Sequence, residues 1–91
     1  MLFRAAANEK PHSVLLKWNP PPPQPGTTVT SYDVYRSLAD GTYNAIAVGV
    51  TATSYVDHNV KNGASYTYRV KAVDAAGNEG APSTPATAVI P

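Results

Sequence analysis

Ninety-one residues, 43% hydrophobic and 14% charged, leave room for one hydrophobic core and no second one. A net charge of +1 gives no electrostatic footprint for nucleic acid or an anionic membrane, and no apolar run approaches the roughly 18 residues of a membrane span. Cysteine is absent, which removes thiol catalysis and cysteine-based zinc sites and leaves the fold to stand on packing alone.

Nine prolines and six glycines require many turns, and many turns favour an all-β chain. In chain order, Leu2 to Ala7 reads as a first strand; residues 1–10 are alternatively the edge of a cloned segment, and no signal peptide is visible behind Met1. Ser13 to Asn19 alternates, with Val14, Leu16 and Trp18 on one face and Leu15, Lys17 and Asn19 on the other. Pro20 to Pro23 and Pro25-Gly26 end that strand, because proline donates nothing to a ladder. The run also has the composition of a polyproline II ligand, but its place between two strands pins both ends and favours a stiff loop.

Ser31 to Ser37 alternates again, Tyr32 and Val34 inward and Asp33 and Tyr35 outward. Asp40-Gly41 signals a hairpin, and Tyr43 to Val50 returns through Ile46 and Val48. Thr53 to Asp57 is a short strand centred on Tyr55, and Asn62-Gly63 is the next turn. The longest alternation places Tyr66, Tyr68, Val70 and Ala72 on a buried face, with Thr67, Arg69 and Lys71 on a wet one. Asp74 to Gly80 is a loop by composition, and Ser83 to Ile90 is a last strand. No segment of helical length keeps a 3.6-residue period. About seven strands result, the number that a sandwich of two antiparallel sheets needs.

These residues resemble a fibronectin type III module over nearly the whole chain. Trp18-Asn19-Pro20 matches the tryptophan and proline that close the family's second strand, and Tyr32-Asp33-Val34 its third-strand pair. Val60, Gly63 and Tyr66 match the turn before the sixth strand, and Tyr66 to Ser83 is similar to that strand and its following loop. The resemblance implies an all-β, seven-stranded immunoglobulin-like sandwich with 1–91 as one domain. It implies that Tyr66 is a tyrosine corner whose hydroxyl bonds backbone between Val60 and Asn62, and that Tyr68 packs where an immunoglobulin domain has a cysteine. The expected core is Trp18, Tyr32, Val34, Tyr55, Val60, Tyr66, Tyr68, Val70 and Ala72. Each buried aromatic there withdraws roughly 150–250 Å² from water.

The phrases SYDVYRS, TSYVD and AVDAAGNEGAPS are similar to modules of bacterial secreted proteins, often beside glycan-degrading domains. No Arg-Gly-Asp occurs, so integrin recognition does not carry over.

Chemistry-bearing residues form no reactive constellation. His12 and His58 lack ligand spacing, and Asp57-His58 reads as a turn cap. Neither a Gly-x-Ser-x-Gly elbow nor a phosphate-binding glycine loop is present. No catalytic, cofactor-binding or metal residue is therefore assigned, and the expectation is a non-enzymatic module without cofactors. Tyr35 shares an outward surface with Arg69 and Lys71, where stacking against a cation is favoured over a sugar platform. Asp74 and Asn78 complete the candidate contact surface, with Tyr43 nearby as a second aromatic. The expected role is a spacer or docking module, monomeric in isolation, of a larger extracellular or cell-surface protein. Its partners are then neighbouring domains of the same chain. The second reading is a protein- or polysaccharide-binding module using its loops or Tyr35.

Overall fold

The structure, a computed structural model, describes residues 3–8, 12–21, 26, 28–38 and 41–90. Its strands are β1 (Phe3–Asn8), β2 (Ser13–Trp18), β3 (Val29–Ser37), β4 (Tyr43–Val50), β5 (Ser54–Asp57), β6 (Ser65–Asp74) and β7 (Ala86–Val89). They build two antiparallel sheets, β1-β2-β5 and β4-β3-β6-β7, packed as a sandwich. The all-β, seven-stranded architecture is the one that the alternating pattern implies.

Register follows from burial. In β2, Val14, Leu16 and Trp18 are buried while Leu15 is half-buried and Lys17 exposed. A slip by one residue would drive Lys17 into the core, so the pairing of β2 with β1 and β5 is strongly specified. Tyr32 and Val34 of β3 lie beside Tyr66, Tyr68 and Val70 of the neighbouring β6 in the same core. Trp18 meets Tyr32 edge-on, with ring centroids 5.4 Å apart and planes at 65°, joining the two sheets through the quadrupoles of the rings. Ala88 and Ile90 close the core from the C-terminal stretch. Tyr55, Val60 and Ala72 are half-buried and pack against its margin. Tyr55 lies on the edge strand β5, and Ala72 lies beyond the stretch of β6 that β7 covers, Ser65 to Tyr68.

Two local expectations are corrected. Val48 does not share the inward face with Ile46; it is 71% exposed. The ladder between β3 and β4 shifts register twice, between Tyr32 and Val34 and between Val34 and Tyr35. Each bulge inserts a residue and breaks the two-residue alternation, so Ile46, Ala47 and Val50 pack inward instead. Gly49 supports this bend with φ +68°, a left-handed backbone that side chains disfavour. The hairpin that Asp40-Gly41 signals is present, β3 and β4 pairing antiparallel with the Gly41 N–H bonded to the Leu38 carbonyl at 3.0 Å, while Asp40 itself lies outside the described residues. The last strand is Ala86–Val89, shorter than Ser83 to Ile90. Ser83 nevertheless seats on β6, its N–H donating to the Val70 carbonyl at 2.8 Å and its Oγ accepting from the Val70 N–H at 3.0 Å. Of the proline run, residues 22–25 lie outside the described residues.

Candidate functional site

Two polar assemblies stand out, one between the sheets and one on the outer face of the four-stranded sheet. The first begins with strand parity. Arg36 has the same parity as the inward Tyr32 and Val34, and Asp57 the same as Tyr55, so the backbone directs a cation and an anion toward the interior. They meet there. Arg36 Nη1 contacts Asp57 Oδ2 at 2.9 Å, with the two side chains 17% and 5% exposed. The same nitrogen donates to the Asn59 carbonyl at 2.9 Å. Tyr68 donates its hydroxyl to Asp57 Oδ2 at 2.7 Å, and Asp57 Oδ1 accepts the Asn59 N–H at 3.1 Å. A buried carboxylate is tolerable only when its lone pairs are filled this way. Burial first, and the bond to Asp57 second, push the Tyr68 phenol well above its ordinary pKa.

Tyr66 completes this assembly. Its ring carries the Arg36 guanidinium 5.1 Å from the centroid, and its hydroxyl accepts the Lys61 N–H at 3.0 Å. The turn that brings Lys61 there depends on Gly63 at φ +79° and on the Ala64 N–H bonded to the Lys61 carbonyl at 3.2 Å. Asp57 thus does cap a turn, but the buried link to Arg36 and Tyr68 goes beyond the turn-cap reading. Strand parity carried that signal, since a charged residue at an inward position needs a partner.

On the outer face, cations cover the tyrosines. Lys71 Nζ lies 4.8 Å from the Tyr35 ring centroid, and the Arg69 guanidinium 5.2 Å from that of Tyr43. Tyr35 and Arg69 are directly paired across β3 and β6, yet Tyr35 takes Lys71 and Arg69 takes Tyr43. Tyr35 donates its hydroxyl to Glu79, which also lies 3.7 Å from Lys71. The bond to Glu79 chiefly, then burial, pushes the Tyr35 phenol up to about 12. Asp33 shares a hydrogen bond with Glu79, which raises the Asp33 pKa and lowers that of Glu79. The Gly49 N–H also donates to Asp33 at 3.2 Å.

Glu79 was not legible as a member of this group, because loop composition fixes no direction for its side chain. The β-bridge between Val73 and Glu79 supplies that direction. Asp74 turns inward on its own loop, its Oδ1 accepting the N–H groups of Ala76 at 3.0 Å and Asn78 at 2.9 Å. The Asn78 carbonyl in turn accepts the Asp74 N–H at 3.1 Å. Tyr35, Arg69 and Lys71 therefore come together, while Asp74 and Asn78 serve the loop's own geometry. Among the described residues, no three His, Asp or Glu side chains gather where a metal could be held.

The same architecture recurs in known proteins. A Fn3-like protein from Clostridium thermocellum superposes with a TM-score of 0.79 at 34% identity, covering 98% of this chain and 88% of that one. The alpha-amylase of Niallia circulans is 40% identical over 80 residues, 87% of this chain but 6% of the relative. The amylopullulanase of Thermoanaerobacterium saccharolyticum is 49% identical over 51 residues, 55% of this chain and 4% of the relative. The chain thus spans a small fraction of the curated relatives that it matches. The family model of the fibronectin type III domain matches residues 3–89, every strand of the sandwich, and the chain belongs to that family.

Proposed function

We propose that this chain is a non-catalytic module that spaces or docks neighbouring domains within a larger extracellular bacterial protein. We propose further that this larger protein acts on a glucan, as the names amylopullulanase and alpha-amylase imply for the relatives. The observation that carries the reading is the proportion of the match. Most of this chain corresponds to a few per cent of each relative, so the counterpart there is one small unit among many. The interior supports it too, since aromatic packing and a closed ion-pair assembly make a self-sufficient unit without a disulfide. The chain is read as a monomer in isolation.

The alternative, recognition through Tyr35, is less well supported. Lys71 covers its ring and Glu79 holds its hydroxyl, so the surface is engaged internally. Deleting residues 3–89 from the longer protein tests the leading reading. Turnover on a soluble glucan should persist while the domains on either side change their spacing in small-angle scattering. Glucan hydrolysis by the 91-residue chain alone would overturn it.

A further inference from the structure

The loop that leaves β6 returns along it. Val73 and Glu79 form a β-bridge, and the Gly80 N–H donates to the Ala72 carbonyl at 2.8 Å. That return carries Glu79 to the outer face of the four-stranded sheet. There its carboxylate accepts the Tyr35 hydroxyl and shares a hydrogen bond with Asp33 of β3. We infer that Asp33 and Glu79 hold one proton between them, and that this proton fastens residues 74–80 to the sheet in mildly acidic medium and releases them toward neutral pH.

A carboxylate has acceptors and no donor, so two carboxyl groups bond to each other only while one of them is protonated. The surroundings decide which one. Asp33 and Tyr35 both donate to Glu79, and Lys71 Nζ stands 3.7 Å from it, which together hold its carboxyl below the usual glutamate range. The bond to Glu79 first, then burial, raise the Asp33 carboxyl against the opposing Gly49 N–H at 3.2 Å. The proton therefore sits on Asp33 and is donated to Glu79. Once it is lost, two anions remain in contact and repel, with Lys71 as the cation that both feel. The other charged groups on the packed elements are engaged elsewhere. Arg69 lies against the Tyr43 ring, Asp74 accepts N–H groups of its own loop, and β4 carries no charged side chain.

Fastening has an upper and a lower limit. Asp33 is raised, so its contribution is lost as pH climbs through its folded value. Glu79 is lowered, so its contribution is lost as pH falls through its folded value, where Tyr35 and Lys71 no longer face an anion. The loop is held between the two values. Above the upper one, the Tyr35 hydroxyl and the Lys71 ammonium are released to contact a neighbouring domain.

An NMR titration of the folded, isotopically labelled chain from about pH 2 to about pH 7, read at the side-chain carboxyl carbons, tests the inference. Asp33 should titrate above the usual aspartate value and Glu79 below the usual glutamate value, and the Glu79 signal should move again at the Asp33 step. Exchange of the Gly80 amide, corrected for its intrinsic rate at each pH, should be slowest between the two midpoints. At neutral pH it should be about two- to fivefold faster, the lower range for one hydrogen bond. Asp33→Asn, whose amide donates to Glu79 whatever the pH, should keep the slow exchange at neutral pH. Glu79→Ala should show the fast exchange throughout, while Val70 in β6 keeps its protection in both variants. Independent titration at ordinary values, Gly80 exchange that is flat across the range, or Asp33→Asn exchanging as fast as the unaltered chain at neutral pH would each overturn the proton-held loop.

Discussion

Tyr68 of β6 donates a 2.7 Å hydrogen bond to Asp57 of β5, and this single bond ties the four-stranded sheet to the three-stranded one deep between them. Tyr68 has no exposed surface and Asp57 is 4% exposed, so the link is made without water. An immunoglobulin domain bridges its sheets with a disulfide at the corresponding place on the sixth strand. Here a phenol, a carboxylate and the Arg36 guanidinium take up that role, with Asp57 Oδ2 the acceptor that Tyr68 and Arg36 share.

Removing Asp57 should therefore be among the most damaging single changes. Asp57→Ala leaves the buried Tyr68 and the largely buried Arg36 without their shared acceptor, and loss of one partner from a buried pair costs about 3–5 kcal/mol. Arg36 keeps some solvent access, which places the expected loss near about 3 kcal/mol, the lower end of that range. Urea unfolding at constant m would measure it. A loss below about 1 kcal/mol, typical of an exposed pair, would show that solvent reaches the ion pair.

Tyr66→Phe removes one oxygen and should destabilise the module by about 1–3 kcal/mol, the range for a buried hydrogen-bond partner lost. The group left behind is the Lys61 N–H, at the crossover between the sheets. Amide exchange offers a local readout: Lys61 should exchange faster in the variant while Val70, deep in β6, keeps its protection. Unchanged stability and unchanged exchange at Lys61 would refute the role of the hydroxyl.

The bulges of β4 make a paired prediction about two apolar residues. Leu16→Ala, at a fully buried position, should cost about 2–5 kcal/mol. Val48→Ala, on the exposed side of the bulged strand, should stay within about 0.5 kcal/mol. Equal losses in thermal melts would mean that β4 returns to regular alternation in solution.

Alkaline pH should destabilise the fold through the phenols. Tyr35 is raised to about 12 by Glu79 and burial, and Tyr68 is raised by burial and Asp57, against the ordinary phenol value of 10.0. The folded state then holds these protons where the unfolded chain releases them. Their contribution is complete below pH 10 and is lost as pH climbs toward the folded values. Phenolate absorbance, taken as the difference from Tyr35→Phe and Tyr68→Phe, should rise only above pH 10, and for Tyr68 only together with unfolding. Ionisation of Tyr68 near pH 10 in a still-folded chain would contradict the buried bond.

Alternation by itself determined the sandwich. Val14, Leu16 and Trp18, then Tyr32 and Val34, then Tyr66, Tyr68 and Val70 each recur at every second residue, and burial of one sheet face obliges that period. The same parity already aimed Arg36 and Asp57 inward, although it could not say that they meet, because β3 and β5 belong to different sheets. Partner choice on the outer face was likewise beyond sequence. Direct cross-strand pairing sets Tyr35 opposite Arg69, yet Lys71 takes its ring and Glu79, carried in by a loop, takes its hydroxyl. Val48 escaped the pattern for a related reason. A bulge depends on how two strands fit together, and the linear period of either strand carries no trace of it. Long-range partners are settled by the distance and angle between elements, quantities that exist only once the two sheets have packed.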